Sequence, residues 1–334
     1  MFKRVVTLIV GLLALVAGAM VLWPQLFSLQ RTNPFAFMVA SRGADVAVAV
    51  VAIIAILVLG MLGKTARRLT RPLLIWLVIV GVASAWLVYQ RGWNNTPATK
   101  EQGSALTVFT WNTLGGKPGA DKIAARAVKV QADVVSLPET SLETGQQVAT
   151  LMAAAGHPVT VLHDAFDDIY TSHSTVLLIS TDLGTYTVDT SHGTTSTSPS
   201  IIAIPSVTGR PTIVAAHAIA PSPGELGQWR DDLAWLAARC SEANVIVTGD
   251  FNASLDNVMG LGPAVFGNCG DSAYTLGAAS IGTWPASLPA LIGTQIDHVF
   301  YSAEWMPIGI TIDMDSSAAL SDHRPVVVTL VPAS

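Results

Sequence analysis

Three long apolar stretches, residues 5–23, 46–63 and 73–89, crowd into the start of this chain. Each is near the roughly 17–25 residues that a helix needs to cross a bilayer. Backbone groups inside a bilayer must satisfy one another, and a helix does this within a single segment. A buried helix of a soluble domain explains one such run, not three in close succession. Residues 1–90 therefore read as a membrane anchor of three transmembrane helices. The chain of 334 residues is 51% hydrophobic and only 12% charged, and the apolar excess lies in this anchor.

Basic residues orient the anchor, because short loops rich in Lys and Arg stay in the cytoplasm. Lys3 and Arg4 precede the first stretch, and Lys64, Arg67, Arg68 and Arg71 crowd the loop between the second and third. Both regions are expected inside. Residues 24–45 hold only Arg31 and Arg42 and are expected outside. The third helix then delivers residues 91–334 outside the cell. The expected location is the cell membrane, multi-pass, with a cytoplasmic N-terminus and an extracytoplasmic main domain. Ala17-Gly18-Ala19 resembles a signal-peptide cleavage site. The apolar run is long for a signal peptide, which favours an uncleaved helix, and cleavage would leave the main domain on the same side.

Residues 91–104 read as a short polar linker. Residues 105–334 read as one α/β domain, large enough for a sizeable core. Short runs rich in β-branched residues predict strands at 105–111, 132–137, 174–179, 200–204, 212–217, 244–248, 295–301, 308–312 and 325–331. Helical spacing predicts helices at 120–131, 142–155 and 225–240. The Thr/Ser-rich stretch 190–198 reads as a surface loop. Cys240 and Cys269 are the only cysteines. A disulfide is chemically allowed outside the cell, and the sequence leaves open whether the two meet. Residues 91–334 carry ten Lys and Arg against twenty-two Asp and Glu. Duplex DNA is usually gripped by clusters of basic residues, so nucleic acid is the disfavoured partner.

Polar residues gather at strand ends. Asn112 follows an apolar strand and shares a face with Val108 and Thr110. Glu139 follows Val134–Pro138, where it suits a hard cation such as Mg²⁺ as well as it suits open solvent. His217 ends an apolar strand and could donate to a phosphate oxygen or protonate a leaving group; a lone histidine there is otherwise a structural hydrogen-bonder. Gly249-Asp250-Phe251-Asn252 follows another buried run. An acid and an amide two residues apart can orient a water and hold a developing oxyanion, although an Asx turn has similar composition. Asp297 lies within a strand, where a charge is costly unless paired. His323, in Ser321-Asp322-His323-Arg324-Pro325, is its natural partner, because a carboxylate fixes the tautomer of an imidazole. Asp322 could face a metal or a water. His298 points to the opposite face from Asp297. Arg324 is either a strand-edge charge or a brace for an acid.

The order Asn112, Glu139, His217, GDFN, IDHV and SDHRP resembles the endonuclease/exonuclease/phosphatase superfamily over about residues 105–331. The resemblance implies a four-layer α/β sandwich, with two mixed sheets face to face and helices outside. It implies Glu139 as principal Mg²⁺ ligand with Asn112 beside it, and Asp322 as a further acid of the metal site; Mn²⁺ is a possible substitute. It implies Asp250 as the residue that activates water and Asn252 as the amide that steadies the phosphate. His323, oriented by Asp297, would contact the phosphate, and His217 matches the histidine branch of the family. Two departures stand out: Pro138 precedes Glu139 where many members have Gln, and Leu114 stands where some nucleases carry a second acid. Three spans before an external domain of this kind also resemble actinobacterial membrane proteins linked to teicoplanin resistance.

The expected function is a membrane-tethered, extracytoplasmic, Mg²⁺-dependent phosphoesterase acting on a lipid or lipid-linked envelope phosphate. The membrane and a phosphorylated lipid are the expected partners, and no protein partner is inferred. An extracellular nuclease is the first alternative. A non-catalytic envelope or resistance protein that binds a lipid-linked ligand is the second.

Overall fold

A computed structural model of the chain describes residues 2–98, 105–167, 169–314 and 321–333. Residues 99–104 of the expected linker lie outside the described residues.

The anchor consists of α1 (Phe2–Leu22), the single-turn α2 (Phe35–Met38), α3 (Arg42–Gly60) and α4 (Lys64–Arg91). Ser41 caps α3, its side chain accepting from the Ala44 amide. Small residues let the helices approach: a Cβ on Gly81 of α4 would stand 3.2 Å from that of Ala49 in α3. The Trp76 indole donates to the Ala14 carbonyl at 2.9 Å and joins α4 to α1. The outer faces of the anchor are apolar, with Leu13, Val51 and Val82 exposed. Two helices, Arg42–Gly60 and Lys64–Arg91, are long and apolar enough to cross a membrane. Within α1, a helix of 21 residues, the apolar stretch among the described side chains is Ile9–Leu22.

The main domain begins with β1 (Leu106–Thr110), α5 (Ala120–Lys129), β2 (Val134–Pro138), α6 (Leu142–Ala154), β3 (Val159–Ala165) and β4 (Ser174–Ser180). It continues with β5 (Tyr186–Val188), β6 (Ile201–Pro205), β7 (Thr212–His217), α7 (Leu226–Arg239), β8 (Val245–Asp250) and α8 (Leu255–Val258). It ends with β9 (Gly270–Asp271), α9 (Ser272–Thr275), β10 (Asp297–Tyr301), β11 (Trp305–Ile312) and β12 (Val326–Pro332). The strands form two six-stranded sheets, ordered β11-β12-β1-β2-β4-β3 and β5-β6-β7-β8-β10-β9. Each sheet has one parallel pair near its centre, β1 with β2 and β7 with β8, and its other pairings are antiparallel. A parallel pair needs a crossover, which α5 supplies in the first sheet and α7 in the second.

Alternation along the strands builds the layers. Phe109, Val135 and Leu178 pack under α5 and α6 with Ile123, Val148 and Met152. Their neighbours Val108, Val134, Leu177 and Ile179 turn inward and join the core shared with the second sheet. Trp229, Leu233 and Leu236 of α7 cover that sheet from outside. The result is two mixed sheets flanked by helices. The stretch 190–198 is the expected surface loop, mostly exposed, and it dips inward at Thr195 and Ser198. Its polar groups are satisfied internally: the Thr195 hydroxyl donates to the Ser198 carbonyl, and the Ser196 amide to buried Asp232. Cys240 and Cys269 form a disulfide that ties the end of α7 to the start of β9.

Anchor and domain meet through α8. Asp256 is buried between two arginines, Arg42 at the start of α3 and Arg91 at the end of α4. Arg42 Nε lies 2.8 Å from one carboxylate oxygen and Arg91 Nη2 2.8 Å from the other. Gln25 adds a third donor at 2.8 Å, and Arg42 also donates to the Val21 and Leu22 carbonyls that end α1. The Asn257 amide donates to the carbonyls of Gln30 and Ala36. Burial works against the charged form of Asp256, but Arg91 and Arg42 outweigh it and hold the carboxyl below the ordinary range.

Candidate active site

The candidate residues come from neighbouring strands and the loops that follow them. His217 ends β7, Asp250 ends β8 and Asp297 begins β10; register places His217 opposite Asp250 and Asp250 opposite Asp297. Gly249 makes this possible. Its φ of 146° is one that other residues rarely adopt, and a Cβ there would collide with the Ala216 carbonyl of the adjacent strand. The first sheet contributes Asn112 after β1 and Glu139 after β2. His323 enters on the segment before β12.

Asn112 joins the two sheets. Its Nδ2 donates to Glu139 Oε1 at 2.9 Å and to Asp250 Oδ2 at 2.9 Å. The other oxygen of Asp250 accepts from the Asn252 backbone N–H at 2.8 Å. Asn252 sends its own side-chain amide to the Ala218 carbonyl at 2.9 Å. His323 Nδ1 lies 2.9 Å from Asp297 Oδ2, and its Nε2 lies 3.7 Å from Asp250 Oδ2. His217 is buried beside the Thr175 hydroxyl, 3.5 Å from Nδ1. Three non-glycine residues at this end of the sandwich have left-handed backbone: Leu114 (φ 48°), Glu139 (φ 54°) and Asn252 (φ 46°). Such strain persists where surrounding structure over-determines it, and it concentrates at functional sites.

Asp322 stands apart. Ser321 Oγ donates to the Asn112 carbonyl and accepts from the His323 amide. This tight turn sends His323 inward and leaves half-buried Asp322 to accept from the Trp284 indole at 3.2 Å. Among the described residues, the acids and histidine whose ligand atoms cluster are Asp250, Asp297 and His323, within 4.8 Å of one another. That set could hold a metal ion. It differs from the expected grouping of Glu139, Asn112 and Asp322, of which Glu139 and Asn112 reach Asp250 and Asp322 does not join. The donor set suits a divalent cation: the carboxylates of Glu139 and Asp250 converge on one amide, and Asp297 Oδ1 is buried with no protein hydrogen-bond partner among the described residues.

Electrostatics divides the roles. Burial pushes the Asp250 carboxyl up to about 7; His323 pulls it down and Asp297 adds to the rise. Burial disfavours the His323 cation, but Asp297 and then Asp250 outweigh it and raise the imidazole to about 10. Burial, helped by His323, drives His217 down to about 3. These directions favour the protonated form of His323 and hold back ionisation of Asp250. His217, so lowered, can donate a hydrogen bond but brings no charge.

Several supporting residues escaped the sequence. Thr283 Oγ1 accepts from the amides of Ile296 and Asp297 and fixes the start of β10. His298, turned away from Asp297, bridges Asp271 Oδ2 at 2.8 Å and the Ala253 carbonyl at 3.0 Å, and so holds the loop after Asp250. Buried Asp232 accepts from the Ile219 amide just beyond His217. Arg324 is a buried brace for backbone carbonyls rather than an edge charge. Its guanidinium donates to the carbonyls of Gly282, Ala286 and Leu288. The only advance signal for any of these is the alternation that turned His298 outward.

Solved structures share this architecture. Humanised TDP2 of D. rerio, carrying 14 mutations, is 19% identical, with a TM-score of 0.51 over 68% of this chain and 99% of that one. An endonuclease/exonuclease/phosphatase from Bacteroides vulgatus is 15% identical, with a TM-score of 0.51 over 69% and 100%. D. rerio TDP2 in complex with a single-strand DNA product is 18% identical, with a TM-score of 0.52 over 68% and 99%. At these identities the likeness shows the fold. No curated protein matches the sequence. The model of the Endonuclease/Exonuclease/phosphatase family matches residues 109–323, which span every candidate residue from Asn112 to His323. The chain belongs to that family.

Proposed function

We propose that the chain is a membrane-tethered, extracytoplasmic, Mg²⁺-dependent phosphoesterase whose substrate is a phosphate ester of a lipid or lipid-linked envelope molecule. The observation that carries this reading is the Arg42–Asp256–Arg91 clamp. It bolts the segment that follows Asp250 and Asn252 to the ends of the two helices able to cross a membrane. The clamped ends are the start of α3 and the end of α4, and the basic residues Lys64, Arg67 and Arg68, in the first turns of α4, lie at the opposite ends. That agrees with a cytoplasmic basic loop and an external active site.

In this reading Asp250 takes the proton of a water as its oxygen forms a bond to phosphorus. The bond from phosphorus to the ester oxygen breaks on the opposite side. His323 donates Nε2–H to a phosphoryl oxygen, with Asp297 holding the imidazole by its other nitrogen. Asn252 and neutral His217 are further donors, and their preorganisation in a site with little water is where most of the rate arises. Glu139, with Asn112 beside it, would hold Mg²⁺, which would supply Lewis-acid stabilisation of the charge on phosphate. A substrate among envelope precursors agrees with the arrangement that resembles teicoplanin-resistance membrane proteins. The segment carrying exposed Phe166, Ile169 and Tyr170 leads into Ser174, whose hydroxyl donates to the carbonyl of Thr140 beside Glu139, and these side chains suit an apolar substrate better than a polyanion.

A nuclease is the second reading, favoured by the DNA product bound to D. rerio TDP2. The test uses full-length protein in nanodiscs with Mg²⁺, offered envelope-lipid extract and plasmid DNA in parallel, with Asp250→Asn and EDTA as blanks. Phosphate or headgroup release from lipid, lost in both blanks, supports the first reading. DNA nicking with lipids intact replaces it with the second.

A further inference from the structure

One loop runs from the candidate active site to the anchor. Residues 282–293 contain no charged side chain. At its inner end, the Trp284 indole donates to Asp322, the neighbour of His323. Along its length, Arg324 holds the carbonyls of Gly282, Ala286 and Leu288 at 3.1, 2.9 and 2.6 Å. At its far end, the Ser41 hydroxyl donates to the Ile292 carbonyl at 2.6 Å. Gly43 packs so closely on the Leu291 carbonyl that no side chain fits there. Ser41 is the N-cap of α3, so this end of the loop rests on the first turn of a helix able to cross a membrane.

The loop is thus a pinned structure, yet it keeps large apolar side chains in the open. Leu288, Leu291 and Ile292 are 43%, 44% and 36% exposed. The outer ends of the anchor show the same chemistry beside it, with Phe37 and Met38 exposed before α3 and Trp93 exposed after α4. Tryptophan and other amphipathic rings favour the membrane–water interface. A fixed apolar tip joined to such a girdle loses exposed hydrocarbon by entering the same layer.

We propose that the 284–292 loop is a lipid-contact loop: Leu288, Leu291 and Ile292 sit in the outer interface of the bilayer that the anchor crosses. The mouth beside Trp284 and His323 then opens onto that surface, and the phosphate it receives belongs to a lipid still seated in the outer leaflet. The loop works as a floor at fixed depth. Substrates whose phosphate lies at headgroup level reach His323, and phosphates held far above the bilayer do not. This rests on the membrane reading of the anchor given above, and it names the surface from which the substrate comes.

The test reads depth, not catalysis. Both native cysteines are in the disulfide, so Leu291→Cys in the full chain takes a single nitroxide label. Leu288→Cys is a second position in case the first disturbs the fold. Val207→Cys, exposed in the turn between β6 and β7 at the far end of the sandwich, is the aqueous reference. The protein is placed in phosphatidylglycerol/phosphatidylcholine nanodiscs, and collisions with oxygen and with a water-soluble nickel chelate are measured. The expected result is a several-fold loss of nickel access at 291 and 288 relative to 207, with oxygen access retained. Equal nickel access at all three positions overturns the proposal. Loss of both oxygen and nickel access also overturns it, because a protein surface then covers the loop. A lipid-buried label in a protein that cleaves no lipid phosphate keeps the contact loop and removes the proposed substrate, so the two failures are told apart.

Discussion

At the scale of single residues, opposite displacements of two neighbouring groups set the expected pH behaviour. Asp250 must be ionised to accept a proton, and its carboxyl stands near 7. His323 must be protonated to donate, and it stands near 10. Hydrolysis should rise through about pH 7, hold a plateau and fall through about pH 10, measured as initial rate against pH. Asp297→Asn removes the first favourable influence on the His323 cation and should bring the alkaline limb to lower pH. A bound divalent cation favours ionised Asp250 and should draw the acidic limb down as Mg²⁺ is titrated. Asp250→Asn should cost about 10²–10⁴-fold in turnover while substrate binding persists, as single-turnover and binding measurements would separate. His298 gives a separate prediction about stability. Burial opposes its cation, but Asp271 outweighs burial and raises the imidazole above its ordinary value. Its contribution to stability is therefore complete below about pH 6.5 and is lost as pH rises through the raised value. His298→Gln should remove that alkaline slope from calorimetric midpoints. The chemical residues could be read in advance because each stands at the end of an apolar strand, where a polar group is conspicuous. Thr283, Ser321 and Asp271 could not, because their partners are distant in sequence: Thr283 accepts from the Ile296 amide, Ser321 donates to the Asn112 carbonyl and Asp271 meets the His298 imidazole.

At the scale of elements, legibility followed burial. Strands β7, β8 and β12 are nearly continuous apolar runs bounded by turn residues, and such runs announce themselves. Strands β3 and β5 sit at sheet edges, where polar residues such as His163 and Asp164 break the pattern, so neither was anticipated. The apolar character of α1 was legible, but an apolar helix announces its hydrophobicity and not whether it crosses a bilayer. The loop 190–198 was legible from its hydroxyls, but its anchorage through the Ser196 amide to buried Asp232 was not. The disulfide was a pairing the sequence only permitted. It joins residues 29 apart, and cross-linking a loop of that size restricts the unfolded chain by about 3–4 kcal/mol. Reduction should lower the denaturant midpoint accordingly, with little change in hydrolysis, since the bridge lies under α7 rather than beside His323.

At the scale of the whole molecule, the anchor and the sandwich share one buried ion cluster. Breaking such a cluster from one side leaves an uncompensated charge, typically worth about 3–5 kcal/mol. Arg42→Ala should therefore destabilise the entire external domain, read by hydrogen exchange in α8 and β8, although it lies far from His323 in sequence. A version of the chain beginning at residue 105 lacks both arginines and should show the same loss, whereas the additional change Asp256→Asn should restore part of it.

That arrangement also orders the making of the protein. Ribosomes finish Arg42 and Arg91 well before Asp256, and early segments fold first. The carboxylate of α8 thus emerges to find its two cations already in place. The anchor is already available as a template when the last third of the sandwich closes, and the segment that follows Asp250 and Asn252 closes against it.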